Sequence, residues 1–301
     1  MITLVGTVEL FNIFPGVTLC FVGLLGLVVG SFINVVTYRI PIMIERASLE
    51  QCKKPQVDRF STEFNTEEPV FNILIPRSCC PSCKSQISFQ HNIPIISYIF
   101  LKGRCARCGN TIPIRYPLTE AIAAILSVMT VWVLGPTWDA VAALVLTWTL
   151  LSLSAIDIDR QLLPDRITLP LMWAGLILSL ISIEGRALLT EVESSLIGAA
   201  AGYVSLWSVY KLFKLLTGKE GMGYGDFKLL AALGAWLGWQ ALPMILFISA
   251  SIGSFAGLMG VFILNRSRHA PIPFGPYLAA AGWVTLLWGD QLMYQYGLIF
   301  N

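Results

Sequence analysis

Two closely spaced cysteine pairs are candidates for a metal site in this sequence. Cys80 and Cys83 form one CxxC unit, and Cys105 and Cys108 form a second unit, with 21 residues between them. Each unit makes a tight turn that points two sulfurs at one ion, so together they predict a closed, tetrahedral zinc site of four thiolates. Separate buried or redox-active thiols are disfavoured because the flanks are loop-like and show no βαβ pattern.

The other three cysteines receive no role from the sequence. Cys79 offers a CxxxC spacing to Cys83, but Cys80 matches the spacing of the partner unit. Cys20 lies in an apolar run and Cys52 in a polar segment. The predicted ligands are therefore Cys80, Cys83, Cys105 and Cys108.

Three aspartates beside apolar segments are the second group with possible chemistry. Asp157 and Asp159 end a long apolar run, and Asp226 stands in the sequence GMGYGD before a short one. Ionisable residues within membrane segments are functional candidates by default. Two carboxyl groups at close range push their pKa values apart, so one can deprotonate a water while the other protonates a carbonyl oxygen. This pairing predicts peptide hydrolysis without a covalent intermediate.

The glycines before Asp226 favour contact with a peptide. Gly223 and Gly225 have no side chains, so an extended substrate backbone can approach the carboxylate closely. Three other interpretations are open: Asp226 caps the following helix, the other aspartates are solvated at the membrane interface, or the glycines cradle a phosphate. No predicted strand precedes the glycines, which argues against the phosphate loop.

The composition places these residues in a membrane protein. Of the 301 residues, 55% are hydrophobic and only 13% are charged, and the mean hydropathy is +0.71. This excludes a soluble enzyme, a disordered chain and a fibrous protein, and a net charge of +2 gives no indication of a nucleic-acid partner. Eight apolar runs predict eight membrane helices, at 17–38, 118–134, 140–156, 167–183, 194–213, 227–238, 242–264 and 274–289.

The basic residues predict the orientation of these helices. With eight crossings, nineteen of the twenty Lys and Arg residues fall on one face, and only Arg186 lies opposite. Basic residues near membrane ends stay in the cytoplasm, so this face is cytoplasmic and both termini are periplasmic. The cysteine segment then lies in a compartment where thiols stay reduced. The first run follows no basic residue and is longer than a signal-peptide core, so we expect it to be retained.

The short apolar run at 227–238, which follows Asp226, predicts a water-filled cavity. Twelve residues at about 1.5 Å each cover roughly 18 Å of a hydrocarbon core of about 30 Å. Asp226 and its glycine loop should therefore lie below the lipid headgroups. Irregular backbone at that depth is tolerated where protein buries it or where it lines a water-filled space.

Together these patterns predict an all-α polytopic membrane protein with a small zinc-binding cytoplasmic domain inserted after the first helix. Residues 1–38 would form a periplasmic N-terminus and the first helix, 39–117 the zinc-binding domain, and 118–301 a membrane domain of seven helices. The inserted segment is small and rich in loops, so a metal would stabilise it. Its polar residues 42–70 are expected to be a mobile part.

Five motifs in this order resemble those of the bacterial type IV prepilin peptidases, a branch of the GxGD membrane aspartyl proteases. The segment 221–230, GMGYGDFKLL, resembles the GxGD motif itself. The other similar segments are GSFINVV at 30–36 with Arg39 and Pro41, the two CxxC units with NIP at 92–94 and RYPLTE at 115–120, the segment 157–165, and PIPFGPY at 271–277. The resemblance covers nearly the whole chain.

The resemblance implies a bifunctional enzyme of the bacterial inner membrane. Such enzymes cut the short basic leader from prepilins and pseudopilins after a Gly, then methylate the new amino terminus, usually Phe, with S-adenosylmethionine. It also implies that Asp157, seven residues before Pro164, is the catalytic partner of Asp226, with Asp159 as runner-up. Zinc is then a structural support. The sequence does not indicate where S-adenosylmethionine binds, which pilins are substrates, or the oligomeric state.

Two functions of other classes compete with this interpretation. A proton-coupled transporter would also carry intramembrane aspartates and a broken helix rich in glycine, but the two halves of the chain show no repeat. A zinc-ribbon interaction protein tethered by helices would not need its aspartates. The acidic residues Asp159, Asp165, Glu120 and Glu220 are candidates to attract a basic leader, against an ordinary solvated role for each.

Overall fold

The structure of the protein is a computed structural model that describes residues 14–53, 71–88, 90, 93–183, 185–219, 221–263 and 273–300. Within this part of the chain the protein is mostly helical, as predicted. The α-helices are α1 Pro15–Lys53, α2 Ile96–Phe100, α3 Arg115–Leu134, α4 Trp138–Arg160, α5 Asp165–Ser179, α6 Val192–Thr217, α7 Tyr224–Leu237, α8 Leu242–Phe262 and α9 Gly275–Phe300. A 3₁₀ turn, Trp239–Ala241, precedes α8.

Each of the eight apolar runs overlaps a helix, but the count of eight crossings is not confirmed. The run predicted at 167–183 is too long, because its helix ends at Ser179 and Ser182–Ile183 is a strand. Five segments of the described chain are long and apolar enough to cross a membrane: Pro15–Glu50, Arg115–Leu134, Trp138–Arg160, Val192–Thr217 and Trp239–Gly260. Helix α5 has 15 residues and α7 has 14, which at about 1.5 Å per residue leaves both shorter than a core of about 30 Å. Hydropathy therefore located the helices without fixing how many cross.

The first helix is much longer than its apolar run. We predicted a helix that ends near residue 38, whereas α1 continues to Lys53 and contains Pro41. Hydropathy identifies only the part of a helix that faces lipid, and the segment 42–53 continues the helix with residues of good helix propensity such as Met, Leu, Glu, Arg and Ala. The rest of the polar segment, 54–70, lies outside the described residues, so its predicted mobility stays a prediction.

The chain divides into two compact units, which are described separately. The smaller unit is Phe21–Leu126, and the larger unit contains the chain from Ser127 onward. In the smaller unit, the buried Arg39 donates to the carbonyl oxygens of Asn72 and Ile73 at 2.9 and 3.0 Å and also to that of Pro76. A guanidinium has several donors in one fork, so a single side chain of α1 holds the segment 72–76.

Helix α7 is the centre of the larger unit. Its buried face includes Phe227, Leu230 and Trp236, and its neighbours are α5, α6 and α9. A Cβ added to Gly234 would stand 2.1 Å from the carbonyl oxygen of Gly198, so the backbones of α6 and α7 are in direct contact there. Small residues permit this close approach of helices.

Polar bonds fix α7 against the same neighbours. The Ser195 hydroxyl of α6 donates to the Ala235 carbonyl at 2.6 Å, and the Trp236 indole donates to the Leu171 carbonyl of α5 at 2.7 Å. A two-stranded antiparallel hairpin, β1 Ser182–Ile183 with β2 Arg186–Ala187, joins α5 to α6. Helix α7 is therefore both buried and hydrogen-bonded to the helices around it.

Candidate functional sites

The four predicted cysteine ligands lie together in the smaller unit. The sulfurs of Cys80, Cys83, Cys105 and Cys108 are all within 4.8 Å of one another, and the Sγ atoms of Cys80 and Cys108 are 3.8 Å apart. A tetrahedral zinc ion with Zn–S bonds of about 2.3 Å places its sulfurs roughly 3.8 Å from each other. The arrangement therefore fits one tetrahedral metal ion.

Two equivalent turns bring these sulfurs together. In the first turn the Cys80 amide donates to the Ser85 carbonyl, and in the second the Cys105 amide donates to the Asn110 carbonyl, at 3.0 and 2.8 Å. The residue after each unit, Lys84 or Gly109, has a positive φ, which reverses the chain within five residues. Each CxxC spacing thus folds locally into a turn with its two sulfurs on one side.

The turns also decide between Cys79 and Cys80. Cys79 forms a β-bridge with Gln86, as Arg104 does with Thr111 in the second turn, so Cys79 occupies the position of a bridge residue. Its thiol is not part of the four-sulfur group. Cys20 is exposed and lies on α1, and nothing is described for the Cys52 side chain. The structure therefore brings together the four sulfurs that the spacing selected, and leaves Cys79 outside that group.

The surroundings of the four sulfurs shift the thiol pKa values in different directions. Backbone hydrogen bonds lower the pKa of Cys105, whereas at Cys108 a backbone hydrogen bond from Asn110 is outweighed by desolvation and the neighbouring thiols, which raise its pKa to about 11. The hydroxyl of Ser85 lies 2.9 Å from the Cys83 sulfur, and this bond, with one from the Ser85 backbone, lowers the pKa of Cys83 to about 6. Metals bind the thiolate form of cysteine. The local turn therefore favours the ligand form of this side chain.

Asp157 and Asp226 lie in the wall of one cavity in the larger unit. The cavity has a volume of about 660 Å³, and Asp157 and Asp226 are only 5% and 7% exposed. The two carboxyl groups are close enough to interact electrostatically. The lining residues are Asp157, Gln161, Leu162, Leu163, Asp165, Gly221, Met222, Gly223, Tyr224, Gly225, Asp226, Lys228, Pro273 and Phe274.

A glycine from a distant helix positions Asp157. The Gly275 amide, at the start of α9, donates to Oδ2 of Asp157 at 3.0 Å. A Cβ on Gly275 would stand 2.7 Å from that oxygen, so any side chain there would displace the carboxylate. Asp159 is exposed and is not among the cavity residues.

Asp226 is not the helix cap that one interpretation suggested. The cap position of α7 is Gly223, and Asp226 is the third residue of the helix, with its amide donating to the Gly223 carbonyl at 3.3 Å. The helix starts three residues earlier than its apolar run indicates, because Tyr224 and Gly225 belong to its first turn. The Asp226 side chain is therefore buried at the cavity and does not cap the backbone.

The two glycines assigned to substrate contact differ in their surroundings. A Cβ on Gly225 would stand 2.6 Å from the Leu163 Cβ, so this glycine is needed for packing of α7 against the residues before α5. A Cβ on Gly223 would meet only the Asp226 Oδ2, at 3.8 Å. The space beside Gly223 is therefore the more open one.

The other acidic candidates have local partners where the structure describes them. Glu120 is buried in the smaller unit, and its Oε2 accepts from the Ile95 amide at 2.7 Å. Asp165 accepts from Lys228 Nζ at 2.6 and 2.7 Å. Glu220 lies outside the described residues. Glu120 and Asp165 therefore serve as partners within the protein and not as simply solvated groups.

Sequence reasoning from single residues missed several cavity residues. Gln161, with a positive φ of 52°, ends α4, and Tyr224 packs on the buried Tyr210 with ring centroids 5.4 Å apart. Lys228 was counted only among the basic residues that set orientation. Its position two residues after Asp226 was the available signal.

Comparison with known proteins agrees with the family resemblance of the sequence motifs. Residues 24–134 match the model of the bacterial peptidase A24 N-terminal domain, and 144–258 match that of the type IV leader peptidase family. Among similar proteins are three named prepilin leader peptidase/N-methyltransferase. That of Aeromonas hydrophila is 48% identical over 293 residues, covering 96% of this chain and 97% of the relative.

The other two relatives are similar over almost the same length. That of Pseudomonas aeruginosa is 49% identical over 91% of each chain, and that of Neisseria gonorrhoeae is 45% identical over 89% of this chain and 90% of the relative. No solved structure matches significantly. Similarity of this extent, in a chain with two buried aspartates at one cavity, does not favour the transporter interpretation. The chain belongs to the type IV leader peptidase family.

Proposed function

We propose that this protein is a membrane aspartic endopeptidase and N-methyltransferase that removes the basic leader of prepilins and pseudopilins and then methylates the new amino terminus. The observation that carries the proposal is the pair of buried carboxyl groups, Asp157 and Asp226, in the wall of one cavity. The family to which the chain belongs supports the same activity. These enzymes act in type IV pilus assembly and type II secretion.

In the proposed hydrolysis the two aspartates divide the work of acid and base. The ionised carboxylate removes a proton from water as it attacks the scissile carbonyl, and the neutral partner protonates the carbonyl oxygen. The Gly275 amide orients the Asp157 carboxylate through its bond to Oδ2. The product is a free α-amine, which the second reaction requires.

The substrate would approach as an extended peptide. Gly223 and Gly225 line the cavity next to Asp226, and Gly223 leaves the more open space for a passing backbone. A prepilin has a cationic leader followed by an apolar helix, so its scissile bond would lie at the cytoplasmic membrane interface. We propose that the cavity opens there, in agreement with the distribution of basic residues.

The four cysteines would hold zinc, which would supply a closed structural cross-link. The described sulfur positions fit tetrahedral thiolate coordination, since Cys80, Cys83, Cys105 and Cys108 converge within 4.8 Å. Four protein ligands leave no open position for a substrate, so we assign zinc to folding of the smaller unit and not to hydrolysis.

Methyl transfer would use S-adenosylmethionine, which supplies the methyl group. The reaction needs a neutral amine aligned with the donor, which is a requirement for positioning. We place this step in the cytoplasmic segment that contains the cysteines and at its junction with α3, by analogy with the family. No individual residue is assigned to the methyl donor.

The location that follows is the bacterial inner membrane, with several crossings. The cysteine segment and the active site would face the cytoplasm, and both termini would face the periplasm. The partners would be prepilins, pseudopilins and membrane lipid.

The experiment that tests this function uses membranes containing the full chain and a leader-bearing pilin. We expect a shorter pilin on a gel and, by mass spectrometry, an N-terminus that begins after the leader and carries one added methyl group. Membranes without the chain are the control. An intact leader after prolonged incubation with folded protein would contradict the proposal.

A further inference from the structure

An ion pair in the wall of the aspartate cavity has no part in the hydrolysis as described. Lys228 Nζ donates to both carboxylate oxygens of Asp165, at 2.6 and 2.7 Å. Both residues line the same cavity as Asp157 and Asp226. The cavity wall therefore holds three carboxyl groups and one ammonium group.

The ion pair joins α7, which carries Asp226, to the start of α5, which follows soon after Asp157 in the chain. Asp165 is the first residue of α5 and follows Pro164, and the helix N-terminus favours a carboxylate there. It is connected to Asp157, near the end of α4, by the short segment 161–164. Lys228 lies in α7, two residues after Asp226.

A second contact, beside the ion pair, brings α7 against segment 161–164. Gly225, in the first turn of α7, packs so closely on Leu163 that a Cβ would stand 2.6 Å from the Leu163 Cβ. The apolar contact sets how near α7 comes to segment 161–164. The ion pair adds a directional bond beside it.

The exposure of the pair indicates a local role and not one in overall stability. The side chains of Lys228 and Asp165 are 25% and 56% exposed. Exposed ion pairs contribute little to the free energy of unfolding, because water and salt screen them. Catalysis, in contrast, is sensitive to displacements of its side chains by about half an ångström.

We propose that Lys228 and Asp165 are positioning residues, whose ion pair holds the N-terminal part of α7 against the start of α5, directly after segment 161–164, and so fixes Asp226 relative to Asp157. This inference rests on the proposed function, because its effect is on the aspartate pair. It assigns a role to a lysine that neither donates nor accepts a proton in the reaction.

The charges of the pair give the inference a distinctive signature. The titratable groups that line the cavity are Asp157, Asp165, Asp226, Lys228 and Tyr224. Loss of the Lys228 charge leaves one more uncompensated negative charge beside the dyad, which favours protonation of the dyad. Loss of the Asp165 charge has the opposite effect. A purely structural defect would not shift the pH dependence in opposite directions.

The test measures cleavage kinetics of a leader-bearing pilin by the full chain in membranes, with four variants. They are Lys228→Met, Asp165→Asn, the reversed pair Lys228→Glu with Asp165→Lys, and the control Arg166→Gln, an exposed charge next to Asp165 that does not line the cavity. Each single variant should lower kcat about tenfold with little change in KM. The reversed pair should recover most of that loss.

The pH profile separates this inference from its alternatives. The pH optimum of cleavage should rise for Lys228→Met, fall for Asp165→Asn and stay unchanged for Arg166→Gln. No recovery in the reversed pair, or a loss confined to KM, would show that the two residues act separately, for instance on the substrate, and would overturn the inference. Absence of cleavage by the wild-type chain would overturn the proposed function itself.

Discussion

The cysteine turns and the aspartate cavity are built in opposite ways. Each cysteine turn closes within a few residues, through bonds such as that from the Cys80 amide to the Ser85 carbonyl. The cavity is assembled over long distances, and the Gly275 amide that holds Asp157 is 118 residues away from it. A site made of local turns depends on its own ligands, whereas a site made of packed helices depends on every contact that sets their spacing.

The aspartates should show the largest effect of any substitution. Asp157→Asn and Asp226→Asn should each reduce leader cleavage by about 10²- to 10⁴-fold, because an amide cannot act as a base or share the dyad's proton. Cleavage gels check this, and immunoblots of membranes should show normal accumulation.

The matched control for this comparison is Asp159→Asn. Its exposed side chain lies outside the cavity, so cleavage should stay near the wild-type rate. Normal cleavage by Asp157→Asn, together with loss in Asp159→Asn, would show that the wrong aspartate was assigned.

The four cysteines should respond to substitution as a single cooperative group. Replacing any one of Cys80, Cys83, Cys105 or Cys108 by Ser should lower bound zinc from about one ion per chain by at least about tenfold, and should lower stability as well, since metal binding and folding are linked. Elemental analysis and thermal unfolding measure the two effects.

Cys79→Ser is the control for the cysteine site, because Cys79 occupies a bridge position outside the four-sulfur group. It should keep full metal content. Full zinc occupancy in a Cys80→Ser, Cys105→Ser double variant would rule out the assigned ligand set.

Substitutions that disturb packing at the cavity should have smaller effects than substitutions of the aspartates, but these effects should still be measurable. Gly225→Ala should destabilise the protein by about 1–3 kcal/mol, because the new methyl group would overlap Leu163. Leu163→Ala in the same chain should restore part of the stability. Gly223→Ala, with its nearest atom 3.8 Å away, should leave the unfolding temperature unchanged.

The smallest expected effect is a separation of the two activities. Cysteine variants that still fold should lose methylation a few-fold more than cleavage, because a site held by one rigid element survives loosening of another. Asp226→Asn should still methylate a precleaved pilin, since that step needs no activated water. Mass spectrometry of the pilin N-terminus measures both, and failure of folded Asp226→Asn on precleaved pilin would mean that the reactions share a site.

The contrast between the units also explains what the sequence could predict. The convergence of the four cysteine sulfurs follows from spacing because a CxxC turn is local. The choice of Asp157 over Asp159 did not follow from residue type, since it depends on how α4 is rotated toward α7. The Asp165–Lys228 pair and the Gly275 amide require tertiary contacts that no short pattern encodes. Hydropathy placed the helices, but helix length beyond the lipid and the number of crossings depend on packing.

The direct contact between the backbones of α6 and α7 bears on how the protein responds to its lipid. At Gly198 and Gly234 no side chain separates the two helices, so they cannot slide past each other by changing rotamers, and no acyl chain can enter between them. Membranes of different thickness change the tilt of helices at modest cost. Helices α6 and α7 should therefore tilt together as one unit when acyl-chain length changes.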